Sequence, residues 1–167
     1  MKFEITTYTH FKRLWFLIIY FILFIGVLYY TFNVKFMAVV CTLALGIFTF
    51  PTLYIHINYY KYLSGEILFL EETQIRIQSL KTNTVSAINV SDINKVKLFM
   101  SGTRIANLVK KNFAFEDYYY YEIEFINKDK IIISSLYNEN IDSIFKQKYP
   151  SIKIEVVNVY YPLIQYS

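Results

Sequence analysis

Cysteine is nearly absent: Cys41 stands alone inside an apolar run, so no disulfide or multi-cysteine metal site forms within one chain. Histidine occurs twice, as His10 and His56, and neither sits in a metal-ligand spacing such as HExxH. The four glycines, Gly26, Gly46, Gly65 and Gly102, lie far apart, which excludes a glycine-rich phosphate loop. Charge is scarce as well, at 18% of residues against about 25% in an ordinary soluble domain. With no base beside a nucleophile, no metal set and no phosphate cradle, the sequence reads as a non-enzyme without a cofactor.

The missing charge is concentrated in one place. Residues 14–57 hold a single charged side chain, Lys35, whereas residues 58–167 have an ordinary composition. The net charge of +4 is also uneven. Lys2, Lys12, Arg13 and Lys35 face one acid, Glu4, before residue 58, and beyond it bases and acids nearly balance. The basic balance therefore belongs to the flank of an apolar segment, and nucleic acid is not an expected partner.

Leu14 to Phe32 is an uncharged run of nineteen residues, about 28 Å as a helix and close to the hydrocarbon core of a bilayer. Phe36 to Ile57 is a second apolar run with one histidine and one proline. Neither shows a polar stripe, and helices apolar all round belong in lipid or in a large interior. Only Asn33-Val34-Lys35 separates them, so an antiparallel hairpin of two transmembrane helices, 14–32 and 36–57, is expected behind an N-terminal segment 1–13. The Lys/Arg excess at Lys12, Arg13 and Lys61 places both termini in the cytoplasm, as a multi-pass protein of the cell (inner) membrane. Trp15, Tyr29, Tyr30, Tyr54, Tyr59 and Tyr60 fall near the ends, as interfacial aromatics do. Pro51 reads as a tolerated kink. His56 reads as an interfacial histidine, alone, with no ionisable partner in either span.

After Lys61 the periodicity becomes that of strands. Glu66–Leu70 and the strictly alternating Gln74–Gln78 form a hairpin about Glu71-Glu72-Thr73. Thr84–Val90 and Ile93–Met100 follow, then an irregular stretch 101–117, a strand Tyr118–Ile126, a turn at Asn127-Lys128-Asp129 and a strand Lys130–Ser134. A helix over 138–149 is expected, capped by Asn138 and stopped by Pro150, before a last extended run 152–160. Strands joined by short turns and followed by one late helix indicate an α+β fold: a bent antiparallel β domain over 62–160 closed by a C-terminal helix.

The two-span hairpin, the Gly-Glu-Ile-Leu-Phe and Ile-Arg-Ile strands, and the stretch Ile-Asn-Val-Ser-Asp-Ile at 88–93 resemble bacterial membrane-anchored PH-like domain proteins over about residues 10–157. The resemblance implies a seven-stranded, strongly bent antiparallel barrel closed by a helix, and it implies no reaction. Some PH domains bind phosphoinositide headgroups through basic residues between their first two strands. Here that loop is the acidic Glu71-Glu72-Thr73, so that site is not carried over.

Three features weigh as sites. Lys95, Lys97, Arg104, Lys110 and Lys111 form a basic run without an acid between Asp92 and Glu116, suited either to an anionic lipid surface or to plain solvation. Of the four tyrosines 118–121, neighbours in a strand point to opposite faces, so Tyr118 and Tyr120 are candidate protein-interface residues. Glu122 and Glu124 share one strand face, about 7 Å apart, with the ordinary reading a solvated pair. The leading expectation is a membrane-anchored interaction module whose partner is a protein or a second copy. The alternatives are a peripheral anionic-lipid sensor using 95–111, and a small transporter or channel subunit.

Overall fold

The computed structural model describes residues 1–31, 35–106 and 114–165. A short strand β1 (Lys2–Glu4) leads into α1 (Thr7–Thr31), and α2 (Lys35–Leu63) returns beside it. The entry to α1 is a reciprocal cap: the Thr9 amide donates to the Thr6 hydroxyl at 3.3 Å and the Thr6 amide to the Thr9 hydroxyl at 2.9 Å. This cap starts the helix seven residues before the predicted span. The ordering of His10 beside His56 and Tyr60 makes the two helices antiparallel. Their connection at 32–34 lies outside the described residues.

α2 ends at Gly65, whose φ of +81° is a left-handed conformation that glycine adopts without strain. Strands β2 (Glu66–Leu70), β3 (Gln74–Ser79) and β4 (Thr84–Asn89) then run as a meander. With β1 they make one antiparallel sheet in the order β1-β2-β3-β4. A 3₁₀ turn at Val90–Asp92 leads to β5 (Ile93–Met100) and a single helical turn, α3 (Gly102–Ile105). After a second 3₁₀ turn, Ala114–Asp117, come β6 (Tyr120–Phe125), β7 (Lys130–Ser134), α4 (Ile141–Lys148) and β8 (Ile154–Asn158). The second sheet has the order β7-β6-β5-β8.

Four expectations need correction. Among the described residues the strands number eight in two four-stranded sheets, not seven, because the N-terminus contributes β1, which pairs Lys2–Glu4 with Ile67–Phe69. Three residues are too few to register as a period. The domain is not purely antiparallel, since β8 lies parallel to β5, Val96 opposite Ile154; α4 supplies the crossover that such pairing requires. The cap of α4 is Asn140 without a side-chain bond, and the Asn138 carboxamide oxygen instead accepts the Asn140 amide at 2.8 Å, so the helix starts three residues later than predicted. Finally, the last turns of the predicted second span pack against protein, where all-round lipid contact is expected from the sequence. Thr52, Ile55 and His56 are buried in the protein, as are Tyr59 and Leu63 further along α2. These positions recur at helical spacing, so the last turns of α2 present a stripe to the β domain. Among the described residues, the helix long and apolar enough to cross a membrane is Thr7–Tyr30, with mean hydropathy 2.1 and none of its apolar window buried.

The core lies between the sheets and under α4. Leu68, Leu70 and Ile75 meet Val96, Leu98, Ile123, Phe125 and Phe145, all almost wholly buried. Phe145 stacks on Tyr121 at 4.8 Å, and the Tyr149 hydroxyl donates to the Glu71 carbonyl at 2.6 Å. The helix thus ties the two sheets together at that end.

Candidate functional site

The tyrosine run is where the helical pair, the β domain and α4 converge. All four of Tyr118–Tyr121 are buried, Tyr118 and Tyr120 with 1% and 4% exposure, so the expectation that alternate rings face a partner does not hold. Alternation itself is preserved; both faces are covered. On one face, Tyr59 of α2 packs edge-on against Tyr118 and Tyr120 at 5.4 and 6.1 Å, and the Tyr120 hydroxyl donates to the Leu163 carbonyl at 3.1 Å. On the other, the Tyr119 hydroxyl donates to the Glu139 carbonyl at 2.9 Å and Tyr121 hydrogen-bonds the Asp142 carboxylate. Burial raises the phenol pKa of Tyr59, Tyr118, Tyr119 and Tyr121 above the usual range, and pushes that of Tyr120 up to about 12.

At the junction the two histidines form one chain of hydrogen bonds. His10 Nδ1 lies 2.9 Å from His56 Nε2, and His56 Nδ1 lies 2.7 Å from the Tyr118 hydroxyl. Arg13 stands 5.9 Å over the Tyr118 ring and donates to the Ser135 carbonyl, while Lys12 pairs with Glu139 at 2.9 Å. His56 is therefore not alone. Its partner lies 46 residues away in sequence and joins the site because α1 begins at Thr7. Neutral imidazoles bond in this way with one ring donating and the other accepting, so the chain locks α1 and α2 to each other and to the first turn of the β6 segment. The mixed stripe Thr52, Ile55, His56, Tyr59 and Leu63 was the available sequence signal.

The basic run does not form one face. Lys95 and Lys97 lie on the outer side of β5. Lys95 pairs with Glu155 at 2.7 Å, Lys97 stands opposite Glu122 and Glu155, and Lys130 reaches Glu122 at 3.4 Å. Asn94 donates to Glu124 at 3.2 Å. The two glutamates thus belong to a ladder of alternating sign and not to an acid–base pair. Arg104 sits on the opposite side of the sheet, its guanidinium 4.0 Å from the Tyr119 ring. There it lines a cavity of about 490 Å³ with Lys146, Glu116 and Asp142. Lys110 and Lys111 lie outside the described residues. Glu71 of the acidic first loop pairs with Arg76 at 3.2 Å.

A second cavity, about 380 Å³ and lined by Phe50, Pro51, Tyr54, Ile55, Tyr161 and Leu163, lies between α2 and the C-terminal tail. Among the described residues no group of three or more His, Cys, Asp or Glu side chains is placed to hold a metal ion. No curated protein and no solved structure matches the chain. The model of one family, described as a PH domain, matches residues 2–143, a stretch that runs from β1 through both long helices and both sheets into α4. With two packed sheets, a helix across one end and a match over most of its length, the chain belongs to the PH domain family.

Proposed function

We propose that this chain is a membrane-anchored PH module at the cytoplasmic face of the cell membrane, which binds a protein partner or a second copy and performs no chemistry. The observation that carries the reading is the surface of α1. Tyr20, Phe21, Ile22, Leu23, Ile25 and Val27 are all more than 40% exposed, an apolar girth that water does not tolerate and lipid does. The base of the same helix is tied to the domain through His10, Lys12 and Arg13, so the anchor and the PH fold form a continuous body. The Lys12, Arg13 and Lys61 flank supports cytoplasmic termini.

The test is extraction and topology together. Membranes from cells making the full chain are washed at high pH without detergent, and single cysteines at Lys128 and Lys35 are probed with an impermeant thiol reagent in a Cys41→Ser background. The expected outcome is retention in the pellet, with position 128 labelled only after the inner leaflet is opened. Release into the supernatant, or labelling of position 128 from outside, overturns the reading.

A further inference from the structure

The four sheet edges are protected unequally. β1 is three residues long and carries Lys2 and Glu4. β7 opens with Lys130 and is buried over Ile132–Ser134. β8 carries Glu155 in an ion pair with Lys95. Short length, charge and cover are the usual guards of an edge. β4 has none of them. It ends its sheet, it is six residues long, and Thr84–Ala87 are all exposed. No charge and no proline occur between Lys81 and Asp92, and Val85 is 56% exposed.

The register states which amides are open. The Val90 amide donates to the Thr73 carbonyl at 2.8 Å, which continues the β3–β4 pairing of Gln74 with Asn89 and Ile75 with Ile88. Inward and outward groups alternate along an antiparallel strand, so Ile88, Ser86 and Thr84 bond to β3. Val85 and Ala87 turn their N–H and C=O groups to solvent, and Asn89 its N–H, while the Asn89 carbonyl caps the 3₁₀ turn Val90–Asp92.

We infer that β4 pairs with β4 of a second copy, antiparallel about a two-fold axis at Ala87. This places Ala87 opposite Ala87 of the partner, the pair exchanging two backbone bonds, and Val85 opposite the partner's Asn89. Two arguments select a second copy over a foreign peptide. An added peptide gains its specificity from pockets that read alternate side chains; along Thr84–Ala87 the edge is exposed, and the cavity beside it, lined by Ile88, Phe125 and Ile126, lies only at its far end. Self-pairing needs none, because the two-fold axis sets the register and an uncharged strand meets its copy without like-charge repulsion. A contact limited to one six-residue edge lies below the area of a permanent interface, so it forms by the local concentration that anchoring supplies. The inference rests on the proposed anchored module and names its partner.

The test uses the full chain in lipid nanodiscs and in proteoliposomes at matched density, in a Cys41→Ser background. Ala87→Cys is expected to give an oxidatively linked dimer, whereas Lys128→Cys is not. Ala87→Pro, whose lost amide points away from β3, keeps the fold but lowers dimer affinity on the order of thirtyfold through two lost bonds. Ala87→Lys and Ala87→Glu each weaken the dimer, and mixing the two restores it. A monomeric wild-type chain in intact membranes overturns self-pairing while leaving the anchored module standing. A dimer that persists in Ala87→Pro, Ala87→Lys and Ala87→Glu alike overturns the edge as its site.

Discussion

β6 and β4 have similar lengths and both are rich in strand-forming residues, yet they end in opposite environments. The tyrosine run Tyr118–Tyr121 that opens β6 is buried on both faces, by α2 on one side and α4 on the other, and along the rest of β6 Glu122 and Glu124 are half-buried. β4 is exposed at five of its six residues. The contrast shows that strand propensity did not choose between centre and edge. The long helices did, since α1 and α2 return to the domain on the side of β6 and leave β4 bare.

The comparison is broken most severely at high pH. The phenols of Tyr59, Tyr118, Tyr119 and Tyr121 titrate above their unfolded value near 10 because burial disfavours the phenolate. Above pH 10 the unfolded chain has therefore released protons that the folded chain still holds, and stability falls as pH rises, by up to about 1.4 kcal/mol per pH unit for each tyrosine. The expected outcome is a melting temperature in detergent that is flat from pH 8 to 9.5 and drops steeply above 10. A Tyr59→Phe variant should have a shallower drop, and an unchanged slope in it would remove Tyr59 from this account.

Next in size is Tyr121→Ala, which deletes the ring stacked on Phe145 and the bond to Asp142, with an expected loss of about 3–5 kcal/mol in chemical denaturation. His56→Ala breaks the chain from His10 to Tyr118 and leaves buried polar groups without partners, for about 1–3 kcal/mol. Limited proteolysis should show cleavage between α2 and β2 before the β domain itself opens, and simultaneous loss of both would contradict a junction lock. Gly65→Ala costs about 1 kcal/mol, because the φ of +81° is strained for alanine and its Cβ meets the Lys81 side chain at 3.1 Å. Smallest is Thr84→Ala on the exposed edge, expected within about 0.5 kcal/mol of wild type. A loss above 1 kcal/mol in monomeric protein would mean that β4 is covered after all.

Much of the β domain was legible in the residues. Ile93–Met100 and Lys130–Ser134 form strands at their predicted limits, because alternation across a half-buried sheet leaves a period of two. The helix before Pro150 was legible from its spacing. The tyrosine run misled, because alternation identifies two faces but not what covers each of them. The basic run misled for a related reason: Glu122, Glu124 and Glu155 are distant in sequence and adjacent only across the ladder. A bent β domain closed by a helix followed from strand order and the late helix; the PH reading came from the resemblance, and the family match agrees with it.

By itself the sequence determined which segments are apolar enough to leave water, which alternate as strands, and where Gly65 and Pro150 interrupt the chain. These are local properties, set by side-chain transfer energy and backbone freedom within a few residues. Only the tertiary structure decided that His10 meets His56, that four consecutive tyrosines are all interior, that Lys95 is neutralised by Glu155, and that β4 is the edge left open. Each depends on the relative placement of two helices and two sheets, which no local period encodes.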